Sequence, residues 1–240
     1  MNTSLVSMPA CVLFDLDGTL LDTAPDMAQA LNRLRLEENL PPLPFAVIRP
    51  VVSHGTTGLL KLGFNLSPEA SAFHILRIRF LALYAADLAA RTTLFTGMAE
   101  TLIGLKTRRL PWGVVTNKPG WLTEPLLKNL RLWERAACVV CGDTLNKCKP
   151  DPAPLLYASR LVGVAPEHCL YIGDAERDVE AGKRAGMLTL VACFGYLHDT
   201  ESPEHWGADG LIHTPEELLN WLDNQPSLSL QKAVTKAPQN

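Results

Sequence analysis

The stretch Val12-Leu13-Phe14-Asp15-Leu16-Asp17-Gly18-Thr19-Leu20 constrains this chain more than any other. A short, bounded apolar run reads as a buried strand. Two carboxylates follow, one residue apart, and on continued strand geometry Asp15 and Asp17 share a face. Gly18 then breaks the strand and Thr19 supplies a hydroxyl. Carboxylates are costly to bury without a counter-charge. Two of them at the carboxyl end of an apolar strand point to a site that holds a cation, and in open α/β sheets ligands bind at those ends. A strand running into a merely acidic turn is the plainer alternative, and a lone Asp-x-Asp would favour it.

Beyond Leu20 the period turns helical. Thr23 and Asp26 read as an N-cap pair with Pro25 in the first turn, ahead of Met27, Leu31 and Leu34 at helical spacing. Pro41, Pro42 and Pro44 break that helix. Ser53-His54-Gly55-Thr56-Thr57-Gly58 reads as a polar turn. Ser67-Pro68-Glu69 opens another helix, with Phe73, Leu76, Ile78, Phe80, Leu81 and Tyr84 as its apolar face. No strand signal falls between about residues 22 and 92. From Phe95 on, apolar strand-like runs alternate with helical patterns, which predicts an α/β fold with a doubly wound parallel sheet. The early helical block is then an insertion after the first strand. The expected division is a core of residues 1–21 and 93–224, a helical insert of residues 22–92, and a disordered tail of residues 225–240.

A length of 240 residues and 47% apolar content support one large domain, with or without an insert. A formal charge of -3 offers no basic field for nucleic acid. No apolar run approaches the ~20 residues of a membrane span, and the first residues lack the pattern of a secretory signal. Of the six cysteines, Cys138 and Cys141 have metal-pair spacing but no second pair or histidine partner. Buried thiols in a reducing cytoplasm are expected. The expected partner is a small molecule, with no nucleic acid and no membrane, and the chain is expected to be a monomer or weak dimer.

Four elements stand at strand ends or in the loops after them: Asp15 and Asp17; Thr116-Asn117-Lys118 after Gly113-Val114-Val115; Lys149 in Cys148-Lys149-Pro150-Asp151; and Gly173-Asp174-Ala175-Glu176-Arg177-Asp178. Each alone has a dull explanation. Thr116 and Asn117 suit a helix cap, Lys149 a solvated loop, and Asp174 and Asp178 a helix start. Their co-occurrence in this order favours chemistry. The run Phe14-Asp-Leu-Asp-Gly-Thr-Leu20 with the three later motifs resembles the phosphatases of the haloacid dehalogenase superfamily, from Val12 to about Leu222.

That resemblance implies a Rossmann-like catalytic core with a helical cap at the position of the insert. It implies Mg²⁺ as cofactor and a small phosphorylated metabolite as substrate. By the same resemblance Asp15 is the nucleophile and a metal ligand. Asp17 is the acid/base, and its backbone carbonyl is also a metal ligand. Thr116, Asn117 and Lys149 bind phosphate, Asp174 holds Mg²⁺, and Asp178 supports the metal or Lys149. These roles suit the chemistry. A phosphate dianion needs positive charge and donors, a carboxylate nucleophile needs repulsion relieved, and a second carboxylate can protonate the leaving oxygen and activate water. Dehalogenases of the superfamily lack the second Asp, so Asp17 points to phosphoryl transfer. Ala175, where many members carry an acidic or polar residue, is a mild departure.

At the level of the whole chain the resemblance is to phosphoglycolate phosphatases. Leu94-Phe-Thr-Gly-Met98, Trp112-Gly-Val-Val-Thr-Asn-Lys-Pro119, Gly195-Tyr-Leu-His198 and Trp206-Gly-Ala-Asp209 look closer to the N-acetylmuramic acid 6-phosphate phosphatases of cell-wall recycling. The two readings differ only in the cap pocket, where Arg49, His54 and Gly55 are the expected specificity residues. Arg49 is preferred over Lys61 as the grip on a sugar carboxylate, because a guanidinium can bind it through two parallel hydrogen bonds. A sugar-phosphate mutase would use the same motifs, and a non-catalytic binding protein would lack some of the charged residues.

Overall fold

The computed structural model describes residues 8–225. The expected tail beyond Gln225 and the segment ahead of Met8 lie outside the described residues. The strands are β1 (Cys11–Phe14), β2 (Leu21–Asp22), β3 (Thr93–Leu94), β4 (Trp112–Val115), β5 (Val139–Val140), β6 (Cys169–Gly173), β7 (Leu188–Ala192) and β8 (Gly210–Ile212). Six of them form one parallel sheet in the order β5-β4-β1-β6-β7-β8. The chain winds outward from β1 through β4 to β5, then returns and winds the other way from β6. The reversal leaves a crevice at the carboxyl ends of β1, β4 and β6, where such sheets bind ligands.

Helices cover both faces of the sheet, so its central strands read as unbroken apolar runs. Val12 and Phe14 pack with Met98, Leu102, Leu126 and Leu218, from helices α5 (Met98–Thr107), α6 (Gly120–Asn129) and α9 (Glu217–Asp223). Cys11 and Leu13 turn the other way, onto Leu155 and Ala158 of α7 (Ala153–Val162) and Ala181 of α8 (Glu176–Arg184). The strict alternation along β1 is the two-residue period of a strand.

Between β2 and β3 the chain is helical, as expected: α1 (Ala24–Glu37), α2 (Phe45–Ile48), a 3-10 turn over Arg49–His54, α3 (Gly55–Phe64) and α4 (Phe73–Ala86). These helices close around their own apolar cluster, with Leu31 and Leu34 of α1, Leu59 and Leu60 of α3, and Phe73, Leu76, Phe80 and Tyr84 of α4. The last four lie at i, i+3, i+7 and i+11, one face of a helix. Phe80 and Tyr84 stack at 6.4 Å between ring centroids. The proline-rich loop after α1 is ordered by side chains. Asn32 donates to the Leu43 carbonyl (2.9 Å) and accepts from its N–H (2.8 Å), and Arg35 Nε donates to the Pro41 carbonyl (2.9 Å).

Several local readings need correction. Ile78 is 53% exposed and lies off the buried face of α4. That helix starts at Phe73, after turns at Ser67 to Ala70, rather than at Ser67. The segment Ser53 to Gly58 is a junction between the 3-10 turn and α3 rather than a free polar turn, and Gly55 supplies the positive φ of 62° where the two meet. Thr23 and Asp26 do not cap α1. The Thr23 hydroxyl donates to Asp17 Oδ1 (2.7 Å), and the Asp26 carboxylate accepts from the N–H groups of Arg91 and Thr92 and from the Thr92 hydroxyl (2.7 Å). Asp26 thereby fixes the returning chain beside the leaving one, where β2 and β3 pair antiparallel with Leu21 opposite Leu94. Two-residue strands carry too little pattern to be read from sequence.

Candidate active site

Asp15 follows β1 directly, and its N–H donates to the Ile172 carbonyl of β6 (2.8 Å). Its carboxylate is buried and meets Lys149 Nζ at 2.8 Å. The same ammonium lies 2.7 Å from Asp178, 2.7 Å from the Tyr171 hydroxyl and 3.1 Å from the Val115 carbonyl. Lys149 is thus surrounded by oxygen from β1, β4, β6 and α8. Asn117 positions it: the side-chain amide donates to the Lys149 carbonyl and accepts from its N–H, both at 3.0 Å. The Asn117 side-chain amide is thereby committed to the loop that carries Lys149, while the residue itself lines the cavity above Asp15. Asp178 has Lys149 on one oxygen and the Ala175 N–H on the other (3.1 Å).

Burial and charge act against each other here. Burial pushes the Asp15 carboxyl above its ordinary range against the pull of Lys149. Asp174 is pushed up to about 7, by burial first and then by Asp15 and Asp178. Burial opposes ionisation of Asp178 too, but Lys149 and Arg177 outweigh it and hold the carboxyl low. Burial would lower Lys149, yet Asp15 and Asp178 hold it above its ordinary value, so it stays an ammonium.

Asp17 sits on a second pair. Lys118 Nζ is 2.9 Å from its Oδ1 and 3.2 Å from its Oδ2, and the Thr23 hydroxyl holds Oδ1. The ammonium also lies 4.6 Å from the centroid of the Tyr84 ring, reaching from core to helical insert. The Lys118 N–H donates to Thr116 Oγ1 (3.1 Å). Gly18, between the two carboxylates and the rest of the fold, has φ +89°, and a Cβ there would lie 2.0 Å from Asp174 Oδ2. Only glycine allows both the turn and the close approach.

The insert covers this floor. The Ser53 hydroxyl donates to Asp174 Oδ2 (2.6 Å), Arg177 donates to the Ser53 carbonyl (2.7 Å), and Tyr196 N–H also donates to Asp174 Oδ2 (2.9 Å). Between floor and insert lies a cavity of about 970 Å³. Asp15, Asp17, Thr116 and Lys118 form its base; His54, Gly55, Lys61, Arg77 and Tyr84 stand on the insert's side. Arg49 does not line it. The 3-10 turn directs Arg49 to the Gly195 carbonyl (2.9 Å) and over the Tyr196 ring, 4.8 Å from its centroid. The expectation that Arg49 grips a substrate carboxylate is corrected on that ground. Sequence reasoning assigns no site role to Lys118 and Arg177, places Ser53 in a polar turn and puts Tyr84 on an apolar helix face. Lys118 and Arg177 stand inside the second and fourth motifs, at Thr116-Asn117-Lys118 and Asp174 to Asp178, and that position is the available signal.

One carboxylate oxygen each from Asp15, Asp174 and Asp178 lies within 4.8 Å of the others, and all three residues are buried. Asp174 Oδ1 is buried with no hydrogen-bond partner. Three converging hard oxygens, with an unpaired carboxylate oxygen on one of the three residues, suit a divalent cation that prefers oxygen ligands. Asp17 is outside this cluster, its side chain being turned to Lys118. Among the described residues no helix is long and apolar enough to cross a membrane.

Residues 12–192 match the family model of haloacid dehalogenase-like hydrolases. The chain is 42% identical over 213 residues to an N-acetylmuramic acid 6-phosphate phosphatase of Pseudomonas putida, covering 89% of this chain and 96% of the relative. It is also 42% identical over 210 residues to a phosphoglycolate phosphatase of Xanthomonas campestris, covering 88% and 95%. Among solved structures, one described as a predicted phosphoglycolate phosphatase from Haemophilus somnus superposes with a TM-score of 0.79 at 25% identity, over 89% of this chain and 97% of the other. The chain belongs to the haloacid dehalogenase-like hydrolase family, among its phosphatases.

Proposed function

We propose that the protein is a Mg²⁺-dependent phosphomonoester hydrolase that forms an aspartyl phosphate on Asp15, and that its substrate is N-acetylmuramic acid 6-phosphate. The observation that carries the substrate reading is the cavity of about 970 Å³ above Asp15. Relatives of both names are equally identical to this chain, so likeness does not choose between them. Phosphoglycolate has a two-carbon body and would leave most of that volume to water. A phosphorylated amino sugar fills a pocket of this size class.

In this reading residues 22–92 are the cap, residues 1–21 and 93–224 the core, and the cavity is the space between them. Asp15 Oδ attacks phosphorus while the leaving oxygen departs in line. Lys149 holds the Asp15 carboxylate in place; Thr116, Lys118 and Arg177 offer donors and positive charge to the phosphoryl oxygens. Asp17 gives a proton to the leaving sugar oxygen, then takes one from the water that splits the aspartyl phosphate. Asp15 and Asp174, with the Asp17 carbonyl, hold the metal. When bound, Mg²⁺ supplies positive charge that offsets the repulsion between carboxylate and phosphate dianion. Asp178 acts through Lys149.

Phosphate release measured across a panel of phosphorylated metabolites tests the reading. The acidic sugar phosphate should exceed phosphoglycolate in kcat/KM by at least ~100-fold, which is about 2.7 kcal/mol of discrimination. A better rate on phosphoglycolate would overturn the substrate assignment and leave the phosphatase chemistry standing.

A further inference from the structure

Four lysine and arginine residues line the cavity: Lys61, Arg77, Lys118 and Arg177. Two of these are engaged. Lys118 is paired with Asp17, and Arg177 is bonded to the Ser53 carbonyl and surrounded by Asp178, Asp15 and Asp174. Lys61, on α3, and Arg77, on α4, have no side-chain hydrogen bond or ion pair among the described residues. Elsewhere on the same helices charge is used: Arg79, two residues from Arg77, is bonded to Glu37 and Glu38. The carboxylates that line the cavity are Asp15 and Asp17, both on the floor and both already matched by lysine. The insert's wall therefore presents two uncompensated cations from two neighbouring helices, and no acidic residue among its lining.

An unpaired cation facing a cavity attracts anions, and its field is focused by the low-dielectric walls. The phosphoryl group is served by the floor, so these two charges suit a second anionic group on the part of the substrate remote from phosphorus. We propose that Lys61 and Arg77 form a subsite for a carboxylate carried by the leaving group. This rests on the phosphatase reading of the floor and names the residues that select the substrate within it. An acidic sugar phosphate suits such a subsite better than phosphoglycolate, whose carboxylate lies within a few bonds of the phosphate that the floor serves. An acidic ether or acid substituent on a sugar ring reaches across.

The experiment measures competition at the active site, read as the apparent inhibition constant from initial rates. N-acetylmuramic acid 6-phosphate and N-acetylglucosamine 6-phosphate, which lacks the lactyl carboxylate, are each used to inhibit hydrolysis of p-nitrophenyl phosphate in the Mg²⁺-loaded enzyme. The wild type should bind the acidic sugar about 20-fold more tightly than the neutral one, as two charge-assisted contacts at a partly exposed site provide. In the Lys61→Gln, Arg77→Gln double variant that ratio should fall to about twofold. Glucose 1,6-bisphosphate, an anion of the other chemistry, is run beside them. If it alone shows the charge-dependent gain, the subsite takes a second phosphate and the carboxylate assignment is overturned. A wild-type ratio near one, or an unchanged ratio in the double variant, removes the subsite altogether. Failure of the substrate reading looks different: the acidic sugar would still bind selectively but would release no phosphate.

Discussion

The floor and the wall of the cavity are built on opposite plans. On the floor every charged side chain has a partner: Lys149 with Asp15 and Asp178, Lys118 with Asp17, Arg177 with the Ser53 carbonyl. The groups come from ends of parallel strands, which the sheet holds in register. On the wall Lys61, Arg77 and His54 stand on helices and face the cavity without such partners. A buried, mutually paired set is costly to alter, because removing one partner leaves an unmatched charge in a low dielectric. A wall of exposed, independent side chains can change one residue at a time. The difference matches the proposed division of labour, in which the floor carries the chemistry and the wall selects the leaving group.

The sharpest way to break this comparison is at Asp15, the proposed nucleophile. Asp15→Asn keeps the shape and removes the attacking charge. Turnover should fall by on the order of 10⁴-fold or more on every ester, while the protein still folds because Lys149 keeps Asp178 as its partner. A substrate-dependent loss would mean that the floor also selects. Lys149→Met is the next largest. It leaves Asp15 and Asp178 facing each other without their ammonium, so the protein should lose about 3–5 kcal/mol in urea unfolding along with its activity. A stable Lys149→Met protein would show that Asp15 and Asp178 do not depend on that ammonium.

The floor was legible in the sequence for the same reason that it is rigid. Asp15, Thr116 and Asp174 each follow directly on an apolar strand of four or five residues, long enough for its pattern to be read. Partners that depend on tertiary approach were not legible. The Asn117 amide holds the Lys149 backbone, 32 residues away in sequence, and nothing local announces that pairing. Arg49 was expected in the pocket, and the 3-10 turn sends it to Gly195. That turn and the two-residue hinge strands β2 and β3 are too short to have a period. The wall charges could be placed on helices by pattern, but which of them faces the cavity depends on how α3 and α4 pack.

A smaller effect separates proton from metal on the floor. Asp174 is pushed up from 3.8 to about 7, chiefly by burial, then by Asp15 and Asp178. A folded-state value above the unfolded one favours the native state fully below pH 3.8, and that contribution is lost as pH rises through about 7. A divalent cation must displace this proton. Its affinity should therefore rise about tenfold per pH unit below 7 and flatten above it. Titration calorimetry with Mg²⁺ at several pH values reads this directly, and Asp174→Asn should remove the slope along with most of the affinity. A pH-independent affinity in the wild type would remove Asp174 from the metal site.

The smallest expected effect lies at Arg49, and it sharpens the comparison because Arg49 belongs to neither side. It tethers the insert to the core through the Gly195 carbonyl and the face of Tyr196. Tyr196 in turn donates its hydroxyl to Asp22 and accepts from the Ala24 N–H, at the point where the chain leaves the core for the insert. One hydrogen bond and one cation–π contact together stabilise the docked insert by about 1–2 kcal/mol. Arg49→Ala should thus raise KM by about threefold to tenfold for every ester that uses the closed cavity. The factor should be the same for an acidic and a neutral sugar phosphate, because Arg49 touches neither. Lys61→Gln or Arg77→Gln should instead separate the two. If Arg49→Ala also separates them, the guanidinium reaches the substrate in the working enzyme, and the wall extends to the edge that faces Tyr196.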